Sequence, residues 1–321
     1  MLLGNKKTRV FFATDVHGST VTFKKFINAG KFYEAQVLVL GGDMVGKMIV
    51  PLVEQPGGRY HANYLGQIYD VAGEELAKLE LNLENSGLYP LRVTPEEVAA
   101  FREDKSLVEE RFGLLAAERV ARWLQIAEDR LKGTGIRCCV QPGNDDPYTI
   151  DPVLAQSTFV ENTDNTVLPL DDHHEMVSIG VANITPWHCP RDVPESQVAE
   201  YLAALFAKVK NAGQAILNAH VPPYDTQLDP APELDENLTP RLSATGGFKM
   251  APAGSKAVRE AIEKYQPLLG LHGHIHESRA AQKLGRTLCI NPGSEYGEGV
   301  LRGVVFELSK KGLEGYTFTQ G

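Results

Sequence analysis

The sequence predicts an α/β protein built on a parallel sheet and interrupted by a helical insertion. Three observations predict it. Val10-Phe11-Phe12-Ala13 and Val37-Leu38-Val39-Leu40 are apolar, strand-like runs on either side of a short amphipathic stretch, and strand, helix, strand makes a right-handed crossover between parallel strands. From about residue 47 to 135 the pattern changes to apolar residues at helical spacing. Short strand-like runs return at Ile136 and recur toward the C-terminus.

The chain has 321 residues, 43% of them hydrophobic and 23% charged, an ordinary composition with enough apolar side chains for a sizeable core. We read it as a single domain, 1–321, with an insertion at 48–135. Lys+Arg 32 against Asp+Glu 41 gives a net charge of −9, which argues against a surface tracking a long nucleic acid. Cys138, Cys139, Cys189 and Cys289 form no Cys-x-x-Cys and read as free thiols of a reducing compartment. The N-terminal residues show no apolar leader, and no run approaches the ~18 apolar residues of a membrane span. A cytoplasmic protein with no membrane partner is the expectation.

In chain order, Ser19 caps a helix with Phe23, Phe26 and Ile27 on one face, and Gly30 is expected to close it. In the insertion a helix is expected from Ile68 to Asn85, with His61 in a Gly-rich surface loop before it. Thr94-Pro95-Glu96-Glu97 is a helix start with a capping box, and Leu107 to Leu131 has helical apolar spacing. Ile136 to Val140 and Glu175 to Asn183 read as strands, the latter after a polar turn at Asp171 to His174. Pro194 to Asn211 and Ser255 to Tyr265 read as amphipathic helices. Further strands are expected at Ala215 to Leu217, Pro267 to Leu271, and around Leu288, Val304 and Tyr316.

Five of the apolar runs end in side chains that bind metals: Asp15/His17, Asp43, Asn144, His220 and His274/His276. Glycine directly precedes three of them, at Gly42-Asp43, Gly143-Asn144 and Gly273-His274, where it permits a sharp turn and close backbone approach. The spacing of two in Asp15/His17 and His274/His276 would point each pair the same way from extended backbone. Seven oxygen and imidazole ligands exceed the need of one four-coordinate ion. They suit two ions sharing a carboxylate, and Asp43, alone at its strand end, is the natural bridge.

Asp15-Val16-His17, Gly42-Asp43, Gly143-Asn144-Asp145-Asp146, His220 and Gly273-His274-Ile275-His276 resemble, in order, the five blocks of the calcineurin-like metallophosphoesterases. Within that superfamily the sequence is most similar to the bacterial Icc-related predicted phosphoesterases. The resemblance covers both ends of the chain but not the insertion. It implies a four-layer α/β/β/α sandwich. It also implies that Asp15, His17 and His276 hold one divalent ion and Asn144, His220 and His274 the other, with Asp43 shared. A bridging hydroxide would attack phosphorus in line, which makes Asp43, Asn144 and Asp145 the residues around the chemistry. The ligand set fits manganese, iron or zinc.

Two positions depart from the family. Many members carry histidine where Asp145 stands, and an ionised carboxylate beside two cations is a poor proton donor. The second block often continues to another aspartate, whereas here it reads Gly42-Asp43-Met44-Val45-Gly46. The stretch Gly41 to Met48 also approaches a P-loop, but Met48 replaces the magnesium-binding hydroxyl and Asp43 would repel phosphate.

Lys47 and Arg191 are candidate substrate contacts. Asp146 is expected to orient the Asn144 turn, His272 to pack or support a ligand, and His188 to lie at the surface or rim. The insertion is expected to be a cap over the cleft, a dimer face making a homo-oligomer, or an extra packing layer. The functional expectation is a dinuclear phosphoester hydrolase preferring a small phosphodiester or nucleotide-like substrate. A phosphomonoesterase or nuclease on the same site, and a non-catalytic scaffold keeping the fold, are the alternatives.

Overall fold

The computed structural model describes residues 7–243 and 246–321. The first six residues, on which the reading of the N-terminal stretch partly rests, lie outside the described residues. Two six-stranded mixed sheets form the middle of the molecule. The first runs, edge to edge, Gly312–Gln320, Arg302–Ser309, Thr8–Ala13, Val37–Gly41, Arg137–Gln141 and Glu161–Asn162. Its strands Thr8–Ala13, Val37–Gly41 and Arg137–Gln141 are parallel, as the crossover pattern predicts. The second runs Ala280–Leu284, Thr287–Asn291, Leu269–Leu271, Ile216–Ala219, Glu175–Ile179 and Thr166–Pro169, with the four middle strands parallel.

Strand alternation sorts the core into layers. Val10, Phe12, Val39 and Cys139 of the first sheet meet Met176, Ile216, Leu271 and Ile290 of the second. Phe11, Leu38, Leu40 and Cys138 face the other way, onto α1 (Thr20–Phe32), α4 (Lys105–Leu131) and α5 (Asp151–Gln156). Val177, Leu217 and Ala219 face α6 (Glu195–Phe206) and α7 (Lys256–Tyr265). The architecture is therefore the four-layer α/β/β/α sandwich. Cys138 and Cys139 point to opposite layers, and all four cysteines are free thiols. No described helix is long and apolar enough to cross a membrane.

Ser19 caps α1 as expected, but the helix runs through Gly30 to Phe32. Gly30 serves packing instead, since a Cβ there would press on the Ile136 side chain.

The insertion differs from its helical expectation in one respect. It holds α2 (Gly73–Asn85), α3 (Pro95–Glu103, with the Thr94 capping box) and α4, together with a four-stranded sheet. The sheet order is Gln67–Val71, Arg59–Tyr64, Ile49–Gln55, Tyr89–Val93, and Leu76, Leu79 and Leu83 of α2 pack on Val50, Leu52 and Ala62. Ile68 therefore begins no helix, and His61 sits on a strand, its Nδ1 2.9 Å from Asp70 Oδ1. The insertion is tied to the main fold by α4. Trp123 stacks on Phe23 at 4.3 Å, and the buried Arg119 donates to the carbonyls of Gly18 and Leu88, each at 2.8 Å.

Candidate metal centre

Five strands from the two sheets deliver their C-terminal ends to one edge of the sandwich, where the backbone is stitched loop to loop. Asp15 N–H donates to Gly42 O at 3.0 Å, His17 N–H to Asp43 O at 3.0 Å, and Gly273 N–H to His220 O at 2.9 Å. Asp145 N–H donates to the Asp43 side chain at 3.1 Å. The glycines before Asp43, Asn144 and His274 are there for close approach. A Cβ at Gly42 would fall 2.4 Å from His220 Nδ1, one at Gly143 2.1 Å from Asp43 Oδ1, and one at Gly273 2.3 Å from Asp15 Oδ2.

Asp15, His17, Asp43 and His274 all hold positive φ, between 36° and 67°. The strands end before these residues, so the shared direction of Asp15 and His17 comes from left-handed turns and not from extended backbone. This corrects the geometric reason drawn from their spacing. Left-handed non-glycine residues are uncommon, and four at one edge mark a backbone shaped by its site.

Among the described residues, ligand-capable atoms gather in three overlapping groups: Asp15, His17 and His276; Asp43, His220 and His274; and His17, Asp43 and Asp145. Within each group the atoms lie inside 4.8 Å of one another. His17 Nε2 stands 2.9 Å from His276 Nε2 and 3.8 Å from Asp15 Oδ1, and Asp15 Oδ1 is 3.3 Å from His276 Nε2. Asp43 spans the groups: its Oδ2 is 3.4 Å from His17 Nε2 and its Oδ1 3.3 Å from His220 Nε2.

Supporting contacts aim these atoms. His220 Nδ1 donates to Gly41 O at 3.0 Å, which aims Nε2 at Asp43. Thr14 Oγ1 donates to Asp15 Oδ2 at 2.7 Å, and His274 N–H reaches the same carboxylate. Asn144 Nδ2 donates to Asp192 Oδ1 at 3.0 Å, so its Oδ1 is turned away, buried and without a partner. Asp192 is in turn fixed by Thr185 and Cys189 N–H. Asp146 behaves as expected, accepting from Met44, Val45 and Gly143 N–H and so joining the Asp43 and Asn144 loops.

The electrostatics of the site call for a cation. Asp15 and Asp43 are buried side by side. Burial raises Asp43, while against burial His276 and His220 hold Asp15 far below the carboxylate range. Burial lowers His17 and pushes His274 down to about 3, keeping both neutral and able to ligate. His220 goes the other way: against its burial, Asp43 and Asp15 push it up to about 10. Its proton is the positive charge these carboxylates hold when no metal does. Asn144 Oδ1, His17 Nδ1 and His220 Nε2 are buried with no hydrogen-bond partner among the described residues. An unpartnered amide oxygen and buried imidazoles beside two buried carboxylates fit divalent cations, and the donors are all oxygen and imidazole nitrogen.

Lys47 stands at this cluster, its Nζ 2.6 Å from Asp145 Oδ2. Arg191 does not, which corrects its reading as a substrate contact. Its guanidinium is buried, donates to Asp146 O at 2.8 Å, pairs with Asp151 and lies over the Tyr148 ring. Arg191 holds the loop after Asn144 from behind. His272 is buried with Nδ1 on Ala219 O and is pushed down to about 4 by burial, and His188 is exposed. His174 is buried against Asp171, so that turn is not wholly solvated.

Sequence reasoning missed Asp192 and Tyr296. Asp192 lies in no motif; only its contact with Asn144 marks it. The Tyr296 ring packs 4.7 Å from His17 and 5.9 Å from His276, and a C-terminal turn after Pro292-Gly293 carried no signal of that.

No protein-family model matches the chain. An uncharacterized protein of Methanocaldococcus jannaschii is 32% identical over 156 residues, 48% of this chain and 62% of that protein, so the match spans less than two thirds of the relative. The solved structure of TT1561 from Thermus thermophilus is 12% identical, with a TM-score of 0.53 over 98% of this chain and 99% of its own. A solved structure described as a novel phosphatase of Mycoplasma pneumoniae is 11% identical, with a TM-score of 0.42 over 98% and 94%. The likeness to the Thermus protein is one of fold across nearly the whole of both chains.

Proposed function

We propose that this chain, whose fold is that of the calcineurin-like metallophosphoesterases, is a metal-dependent phosphoester hydrolase with a dinuclear centre. The reading is carried by Asp43, whose two carboxylate oxygens each face a histidine of a different ligand group. Asp15, His17 and His276 would hold one divalent ion and Asn144, His220 and His274 the other, with Asp43 shared. Paired ions would supply charge neutralisation at the phosphoryl group and a water of lowered pKa. The chain itself fixes the ligands. Asp192 turns Asn144, Gly41 sets the His220 tautomer, and Asp146 locks two ligand loops together.

The substrate we favour is a small phosphodiester or nucleotide-like ester, with manganese, iron or zinc as the metal. A net charge of −9 speaks against long nucleic acid. The test is a hydrolysis screen of mono- and diesters on chelator-stripped protein reloaded with each metal. Turnover that appears with metal and is lost on chelation supports the reading. No turnover on any ester, with less than one ion bound per chain, would mark a non-catalytic scaffold of this fold.

A further inference from the structure

In-line hydrolysis forms a P–O bond to the oxygen of water and breaks the P–O bond to the leaving group. The departing oxygen takes that bond's electron pair, and the proton left over from water finally makes it an alcohol. Until the proton arrives, the departing oxygen carries negative charge, and a positioned cation there lowers the barrier. The side chain in the third ligand block is the carboxylate of Asp145, and the cation that stands there is Lys47, its Nζ 2.6 Å from Asp145 Oδ2.

Lys47 is placed for this duty by a rigid turn. Gly46 N–H donates to Tyr89 Oη at 3.1 Å, and a Cβ at Gly46 would fall 1.7 Å from Gly87 O, so the chain entering Lys47 is wedged in place. From there the side chain reaches Asp145 while remaining 50% exposed. Asp145 is anchored in turn: its N–H is bonded to Asp43, and its Oδ2 lies 4.0 Å from His17 Nδ1. Through Asp145 the Lys47 ammonium is held beside the His17 and Asp43 group, with part of its side chain open to solvent.

Resting on the phosphoester-hydrolase reading, we propose that Lys47, held by Asp145, is the group that meets the departing oxygen of the substrate. Lys47 is the catalytic residue of the pair and Asp145 a positioning residue. A lysine, unlike an arginine fork, offers a compact point charge on a flexible stem, suited to one oxygen.

The experiment compares kcat/KM on a 4-nitrophenyl ester, a good leaving group, with that on the corresponding alkyl ester, a poor one. Lys47→Met is expected to lose about 10²-fold more on the alkyl ester than on the nitrophenyl ester, through kcat and not KM. Lys47→Arg, which keeps a cation, recovers part of that difference, and Asp145→Asn shifts the ratio the same way by less. Metal content and melting temperature of each variant are measured beside wild type, and Lys47→Gln replaces Lys47→Met should the latter fail to fold. Equal losses on both esters, with metal content unchanged, would overturn the role of Lys47 and leave the hydrolase reading standing. A wild-type protein that cleaves neither ester with any metal would overturn both.

Discussion

Asp43 Oδ2 lies 3.4 Å from His17 Nε2 while Asp43 Oδ1 lies 3.3 Å from His220 Nε2. One carboxylate thus faces two histidines carried by different sheets, His17 following the Thr8–Ala13 strand and His220 the Ile216–Ala219 strand. Gly42, with φ of 118°, lets it do so by keeping the backbone bare where the His220 ring passes.

Metal uptake is expected to displace a proton. His220 is raised to about 10 against its burial by Asp43 and Asp15, so it is protonated at neutral pH in metal-free protein, and ligation requires the Nε2 lone pair. Adding zinc or manganese at pH 7 in weak buffer is expected to release protons, fewer in His220→Gln. A histidine raised on folding contributes stability below its unfolded pKa of about 6.5 and loses it as pH climbs through the folded value. The melting temperature of metal-free protein should therefore fall between about pH 6.5 and 10, an effect His220→Gln reduces. Metal binding without proton release would refute this account of His220.

Asp192→Ala frees the Asn144 amide, which then has no reason to present Oδ1 to a cation. Loss of such an orienting partner typically costs about 10–100-fold in metal affinity. Titration of stripped protein should find one ion weakened by that factor and the other unchanged. Both affinities unchanged from wild type would mean that the Asp192 contact does not hold Asn144 for a cation.

Gly46→Ala drives a methyl into Gly87 O, which is backbone and cannot swing aside. The overpacking should cost about 2–3 kcal/mol in urea unfolding. It should also displace Lys47, raising the preference for good leaving groups as Lys47→Met does. Unchanged stability would show that the Gly46–Gly87 contact is loose.

The Asp, Asn and His side chains that gather at the sheet edge were legible because they follow apolar runs, three of them directly after a glycine. Val10 to Ala13 and Val37 to Leu40 were legible as strands because they are short, unbroken apolar runs, but an unbroken run does not say which side chain faces which layer. What escaped was long-range or locally contradictory. The insertion sheet is masked by Pro51 and Pro90, residues that argue against strands. Pro51 is tolerated because that stretch pairs on one side only, with Leu91, the Arg59–Tyr64 strand joining from Val53 onward. Its hairpin turns at Leu65-Gly66, both at positive φ, without the Asn-Gly or Asp-Gly that announces such a turn. Arg191 looked like a phosphate contact from composition alone, and only the position of Asp151 and Tyr148 shows it turned inward. Asp192 acts across 48 residues of chain, a separation no local pattern encodes.

Metal counting on Asp43→Asn tests the central claim most directly. Wild-type protein, stripped and reloaded with manganese or zinc, is expected to retain two ions per chain, and Asp43→Asn one or fewer, with hydrolysis lost in parallel. An Asp43→Asn protein that keeps two ions and wild-type turnover would contradict the shared carboxylate and the dinuclear centre built on it.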